Sequence, residues 1–282
     1  MCGIGGIVFV GHSSQDSIES ASMMFNALED RGRHASGVAW AWNDSDRWMV
    51  HKDAVKASEL DWKRYTGMNH VKALMFHTRY TTQGSTENNN NNHPVVGHGW
   101  IVTHNGVLQN DDEIFQSVKT WNIHRLHEVD SEALNVLLNV GGVEHLTDMI
   151  RGSCSIAYVP QYITPTSINL YTNGRNPLVI ARTTCGNVVY ASGLHHIERA
   201  FDVETSFNAV PFKEYKLHFD GTIESEFISD ERTSPTVIRG LSSEHPAGST
   251  RKHAQRPANA KPVVWGGWIY DEDMDCWRKW RN

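Results

Sequence analysis

Apolar and polar positions recur along this chain with two different periods, and the changes of period divide it into blocks. Residues 4–10, Ile-Gly-Gly-Ile-Val-Phe-Val, form a nearly continuous apolar run of strand length, as in a strand buried on both faces. From Asp16 to Leu28 the apolar residues fall at Ile18, Ala21, Phe25 and Leu28. That stripe, with Ser and Asp just ahead of it, predicts a capped amphipathic helix. Strand-like runs follow at 37–42, 48–51, 73–77 and 100–104. Helical periods occupy 111–118 and 130–140, with a shorter one at 143–150. After Gly152 the strand pattern returns at 155–158, 167–171, 178–182, 188–191, 215–219 and 222–227. Strands, then helices, then strands again predict a layered α+β fold rather than alternating βαβ units.

Two segments break the pattern. Asn88–Asn92 is a run of five Asn, a residue that favours turns and offers no apolar surface, so a surface loop is expected. Residues 229–262 are polar, rich in Ser, Thr and Pro and aperiodic, and read as a linker. Residues 263–282 hold Trp265, Trp268, Trp277 and Trp280, four of the ten Trp, and form a candidate docking tail. The formal charge of −6 argues against a nucleic-acid partner, which calls for a basic face. No apolar window is long enough to span a membrane, and the first residues lack the cationic start of a secretory signal. A cytoplasmic protein is expected. Four Cys in 282 residues exclude a disulfide scaffold and show no metal-ligand spacing. The adjacent His195 and His196 are expected to point apart and to be structural.

Candidate chemistry begins at Cys2. Removal of Met1 would give this residue a free α-amine, which titrates near pH 8, beside its own thiol. Nucleophile and base then reside on one residue. Four clusters accompany it: Leu28-Glu29-Asp30-Arg31-Gly32 at a helix end, His77-Thr78-Arg79-Tyr80-Thr81-Thr82-Gln83-Gly84 leaving a strand, His93-Pro94 followed by His104-Asn105-Gly106 at a strand end and turn, and Asp130-Ser131-Glu132 opening a helix. Each alone is commonplace, whereas their order behind Met-Cys-Gly-Ile is specific.

Over residues 1–228 the sequence resembles the class II glutamine amidotransferase domain of the N-terminal-nucleophile (Ntn) hydrolases. The resemblance rests on Met-Cys-Gly-Ile, His-Thr-Arg, His-Asn-Gly and the Asp-x-Glu helix start. It implies a four-layer αββα sandwich, with the C-terminal tail outside the core. It also implies glutamine as substrate, no cofactor and no metal. Cys2 would attack the glutamine side-chain amide to give a γ-glutamyl thioester. Asn105 and Gly106 would form the oxyanion hole, Arg79 would clamp the α-carboxylate and Asp130 the α-ammonium. Tyr80 and Thr82 would line the pocket, with Arg31 and His93 in support, and His77 and His104 would be structural. His34 stands where the family commonly has Asp, Gln83 where it often has His, and the Asn run lengthens the loop before His93.

Three readings follow. In the first, the chain supplies ammonia to a separate synthase-type acceptor, since about 54 residues remain after 228. In the second it hydrolyses a small γ-glutamyl compound, and in the third it is a silent scaffold.

Overall fold

Ser14 begins the first helix through a capping box with Ser17. Ser17 N–H donates to Ser14 Oγ at 3.2 Å, and Ser14 N–H donates to Ser17 Oγ at 2.8 Å. The helix buries Ile18, Ala21, Met24 and Phe25, the stripe expected from the sequence. The computed structural model describes residues 1–66 and 70–228, together with the backbone of 264–265, 268–271 and 276–279. In chain order its elements begin with β1 (Gly3–Val8), α1 (Gln15–Ala27), β2 (Ala35–Trp42), β3 (Met49–Asp53), α2 (Lys63–Thr66) and β4 (Val71–Arg79). There follow β5 (Val95–Gly97), β6 (Trp100–Leu108), α3 (Asp111–Val118), α4 (Glu132–Met149), β7 (Gly152–Pro160) and β8 (Ser167–Thr172). The remainder is β9 (Val179–Thr183), β10 (Val188–Ala191), α5 (Leu194–Glu198), β11 (Val203–Asn208), β12 (Lys213–His218) and β13 (Ile223–Phe227).

These strands form two sheets, antiparallel throughout. One has seven strands in the order β11-β9-β10-β1-β4-β2-β3, and the other six in the order β13-β12-β8-β7-β6-β5. Three apolar layers result. Ile4 and Val8 of β1 meet Ile101 of β6 and Ala157 of β7 between the sheets. Ile7 packs with Phe25 of α1 on the outer face of the larger sheet, where Phe25 stacks on Phe76 at 4.6 Å. Val102 and Leu108 pack with Leu134 and Leu137 of α4 on the outer face of the smaller sheet. This is the expected αββα sandwich. Each fully buried Phe or Leu contributes about 1.5–3 kcal/mol, so the three layers together fix how β1 and β6 lie across the sheet gap.

Several local expectations need correction. Asn105-Gly106 is not a turn; β6 runs through it to Leu108, with Gly106 opposite Cys154. A Cβ on Gly106 would lie 1.9 Å from the Ser153 carbonyl oxygen, so glycine is demanded here by close strand approach. The Asn run is not simply exposed: Asn91 and Asn92 are fully buried. The two expected helices 130–140 and 143–150, by contrast, are both present: α4 is interrupted by non-helical backbone at Gly141 and Gly142. β5, β11, α2 and α5 carried no legible periodicity.

A separate unit comprises residues 235–282, in which Val264–Trp265, Trp268–Asp271 and Cys276–Lys279 pair as a three-stranded antiparallel sheet. The polar linker 229–262 and the tail's Trp side chains lie outside the described residues. Among the described residues, no helix is long and apolar enough to cross a membrane.

Candidate active site

β1 is the central strand of the larger sheet, and Cys2 immediately precedes it. Side chains alternate along a strand, so Cys2 shares with Ile4 and Val8 the face turned to the inter-sheet layer. Gly3 lets this strand end lie close to its surroundings: a Cβ there would be 2.6 Å from Thr78 Oγ1. The Cys2 carbonyl accepts from Arg31 Nε at 2.9 Å, which ties the nucleophile's backbone to the turn after α1. The Cys2 thiol donates to the Tyr80 carbonyl, with Sγ 3.6 Å from the oxygen. Burial pushes the thiol above its ordinary pKa and Asp130 adds to the effect, against the opposing pull of the N-terminal amine and Arg79. The thiolate is therefore disfavoured at rest, and the reaction needs a base.

One cleft is lined by Cys2, Arg79, Tyr80, Thr82, Gln83, His93, His104, Gly106, Val129, Asp130 and Ser131. Its free volume of about 10 Å³ is that of a single water. Arg79, the last residue of β4, is buried. Its Nη1 donates to Asn92 Oδ1 at 2.7 Å, and its Nη2 to the carbonyls of Gln83 (2.5 Å) and Gly84 (3.0 Å). Asn92 in turn donates from Nδ2 to the Thr86 carbonyl at 2.9 Å and to Asn89 Oδ1 at 3.1 Å. Asn91 bonds Glu128 on both its side-chain carboxylate and its backbone N–H. The Asn run is thus the scaffold of the guanidinium, a role no periodicity signals.

Asp130 is also buried, just ahead of α4. Its Oδ2 accepts the Leu108 N–H at 2.7 Å. Residues two apart on a strand present their N–H groups to the same side. The Gly106 N–H therefore leaves β6 on the edge that reaches Asp130, an edge β5 does not cover beyond Val102. Ser131 Oγ lies 3.3 Å from Asp130 Oδ1 and 2.9 Å from His104 Nδ1. Its one proton serves only one of them. His104 Nε2–H points at the Ser153 carbonyl (3.3 Å), and burial holds the ring's pKa down. The neutral ring therefore takes the Ser131 proton on Nδ1, which leaves Asp130 Oδ1 with no strong donor.

Asn105, on the same inter-sheet face as Ile101, lies outside the cleft lining. Among the described residues its Nδ2 makes only a 3.5 Å contact with Ser192 Oγ, and its buried Oδ1 has no partner. Ser192 Oγ accepts the Ile4 N–H at 2.9 Å, so Asn105 is tied to β1 two residues from Cys2. Tyr80 and Thr82 are exposed at the cleft mouth. Beside them His34 Nδ1 accepts the Thr81 N–H at 3.0 Å, so the residue at the family's Asp position still orders this loop.

Behind Arg79 lies a buried group in which sequence reasoning named His77 and His93 but not Lys52. His77 and His93 stack at 4.0 Å between ring centroids, both buried. His77 Nε2 donates to the His104 carbonyl at 2.9 Å, while among the described residues His77 Nδ1 and both nitrogens of His93 have no partner. Burial pushes His77 down to about 3 and His93 well below its ordinary value. Lys52 donates from Nζ to the carbonyls of Asn92 (2.6 Å) and Pro94 (2.9 Å), and burial lowers it to about 8. Away from the cleft, His195 and His196 do not point apart: both rings face Asp30.

Comparison with known proteins completes the picture. No protein-family model matches the chain. It is similar to the 7-cyano-7-deazaguanine synthase of Saccharolobus solfataricus, 25% identical over 170 residues, 55% of this chain and 35% of that protein. It is also similar to two glutamine--fructose-6-phosphate aminotransferases. That of Francisella tularensis is 25% identical over 190 residues, 64% of this chain and 30% of that protein. That of Pyrobaculum aerophilum is 27% identical over 239 residues, 78% and 38% respectively. The chain spans about a third of the length of these relatives. Among solved structures, the glutamine phosphoribosylpyrophosphate amidotransferase of B. subtilis superposes with a TM-score of 0.65 at 20% identity, covering 81% of this chain and 50% of that one. An allosteric regulatory enzyme of purine biosynthesis gives 0.66 at 18% identity, covering 81% and 49%. The fold is the Ntn-type sandwich. In fold and in sequence the chain is similar to the class II glutamine amidotransferases, as its N-terminal motif implies.

Proposed function

We propose that the chain hydrolyses the side-chain amide of glutamine and delivers the ammonia to a synthase-type acceptor outside residues 1–282. The observation that carries this reading is one cleft holding a cysteine that follows Met1, a buried arginine and a buried aspartate. A free α-amino acid presents one carboxylate and one ammonium, and Arg79 and Asp130 match them. Once Met1 is removed, the α-amine of Cys2 takes the thiol proton and Sγ attacks the amide carbon. Asn105 Nδ2 and the Gly106 N–H receive the oxyanion, the C–N bond breaks, and the amine protonates the departing ammonia. Water then cleaves the thioester to release glutamate.

In the resting cleft Arg79 is engaged by the Gln83 and Gly84 carbonyls. Entry requires the 80–84 segment to move, so that Arg79 exchanges the Gln83 and Gly84 carbonyls for the substrate carboxylate. The 7-cyano-7-deazaguanine synthase and aminotransferase relatives are about three times the matched length, which fits an amide-hydrolysing portion serving a larger synthetic activity. The test is the intact mass of the purified protein before and after a diazo-ketone analogue of glutamine. The expected species lacks Met1, gains one adduct on Cys2 and gains none in Cys2→Ala. A chain that keeps Met1 and stays unlabelled refutes the proposal in favour of a silent scaffold. One that loses Met1 but stays unlabelled points to a γ-glutamyl compound as substrate.

A further inference from the structure

The turn that carries Arg31 to Cys2 also carries Asp30, and two adjacent histidines meet Asp30 from α5. His196 is buried, with Nε2 2.9 Å from Asp30 Oδ1 and Nδ1 3.2 Å from the Gly193 carbonyl. His195 Nε2 lies 3.4 Å from Asp30 Oδ2. The two rings are 3.8 Å apart and tilted by 38°, and the three ligand atoms lie within 4.8 Å of one another.

Every partner of the His196 ring is an acceptor, yet a neutral imidazole has one N–H. Whichever nitrogen carries it, the other lone pair faces an oxygen, the Gly193 carbonyl at 3.2 Å or the Asp30 carboxylate at 2.9 Å. A positive charge relieves that contact, either a second proton on His196 or a metal ion. With the proton, His195 is left to donate separately to Asp30 Oδ2 at 3.4 Å. A metal ion uses all three groups. A histidine ligand whose other N–H is held by a backbone carbonyl is the usual arrangement at metal centres. Bonds of about 2.05 Å in a tetrahedron give ligand–ligand edges of ~3.3 Å; the two N···O separations, one to each oxygen of Asp30, are 2.9 and 3.4 Å, and small side-chain rotations bring one atom of each residue, already within 4.8 Å of one another, to that spacing. Two imidazoles with one carboxylate suit zinc, cobalt or nickel, whereas calcium and magnesium take oxygen ligands.

We propose that Asp30, His195 and His196 bind one divalent transition-metal ion of the Zn²⁺ class. The site does not depend on the glutaminase reading. The ion ties α5 to the turn after α1 and, through the next residue, Arg31, braces the Cys2 carbonyl. The experiment is titration of the full chain with Zn²⁺ by calorimetry, with Co²⁺ absorption as a second readout. The result expected is one ion per chain, with Asp30→Asn and His195→Asn each weakening affinity on the order of 100-fold. Both residues are exposed, so these variants fold; circular dichroism checks it. Cys2→Ala retains the site, and Zn²⁺ raises the melting temperature of the parent but not of the two variants. Binding of unchanged affinity in both variants places the ion elsewhere and overturns the proposal. Absence of binding below 1 mM shows that a proton holds the cluster and overturns it equally.

Discussion

If Asn92 aims Arg79 at the substrate carboxylate, its replacement has two separable effects. Asn92→Ala removes one charged and two neutral hydrogen bonds from a fully buried position. At about 1.5–3 kcal/mol for the first and ~1 for each other, partly offset by relaxation, a loss of about 3 kcal/mol is expected. For a domain of this size that is a fall of roughly 6–12 °C in melting temperature. Asn92→Asp keeps the contact to Arg79 but adds a carboxylate on the far side of the guanidinium, roughly 5 Å from where the glutamine carboxylate would bind. At an effective dielectric of about 20 the two repel by about 3 kcal/mol, on the order of 100-fold in affinity. The assay is the rate of Cys2 labelling by the diazo-ketone analogue against its concentration, which needs no acceptor. The expected outcome for Asn92→Asp is a half-saturating concentration raised on the order of 100-fold and a limiting rate within a few-fold of the parent, with a thermal loss of its own because both Nδ2 donations are replaced by oxygen–oxygen contacts. Unchanged half-saturation in a folded Asn92→Asp would show that Arg79 does not receive the carboxylate.

Other outcomes follow from single positions. Gly106→Ala, whose Cβ would sit 1.9 Å from the Ser153 oxygen, forces β6 from β7 and should lower stability by about 3 kcal/mol, measured by thermal melting; a melt within 2 °C of the parent would contradict that packing. Asp130→Asn retains an acceptor for the Leu108 N–H but loses the charge for an ammonium, so labelling should require at least about tenfold more analogue; an unchanged requirement would remove Asp130 from recognition. For acid stability, His77 is held at about 3 when folded against an ordinary 6.5. The unfolded chain therefore binds the extra proton between those values. Its contribution is complete well above pH 6.5 and falls as pH drops, by about 2.3 kcal/mol from this residue between pH 6.5 and 4.5. His93 and His104 act in the same direction, and a urea midpoint unchanged over that interval would refute the assignment of neutral buried histidines.

The sequence announced what depends on apolar periodicity and hid what depends on polar burial. α1 and most strands of both sheets were legible because Ile, Val, Leu and Phe recur at the period of their element, whereas the αββα layering was implied by the family resemblance of the motifs. Cys2, Arg79, Asp130 and Gly106 were legible as motifs, and the fold brings them to one cleft. The Asn run was misread because composition assigns asparagine to the surface, whereas Asn91 and Asn92 are buried by bonding partners far along the chain, Arg79 and Glu128. His-Asn-Gly was misread as a turn because strand interiors seldom contain Asn-Gly; here the Ser153 carbonyl oxygen leaves no room for a Cβ at Gly106. β11 escaped because it is an exposed edge strand with a register shift. The convergence of His195 and His196 escaped because Asp30 lies 165 residues away in sequence.

The buried polar layer beside Cys2 has one electrostatic logic. Lys52 and Arg79 place two cations on the 83–94 segment, and both bind backbone or amide oxygens rather than carboxylates. Neighbouring histidines stay neutral, because a third and fourth positive charge in that space would be repelled as well as desolvated; Arg79 and Lys52 both oppose protonation of His77 and His93. Asp130 is the one carboxylate lining the cleft. The resting cleft therefore sets Arg79, backed by Lys52, against Asp130, and the cationic side has the sign that favours a substrate carboxylate and the oxyanion of the proposed reaction. That charge costs stability in the empty protein: Lys52 is lowered to about 8 by the same burial. A negative group entering beside Arg79 relieves the cost, so substrate binding should raise the pKa of Lys52. In the proposed cycle the energy stored against an empty cleft goes into holding glutamine and its transition state.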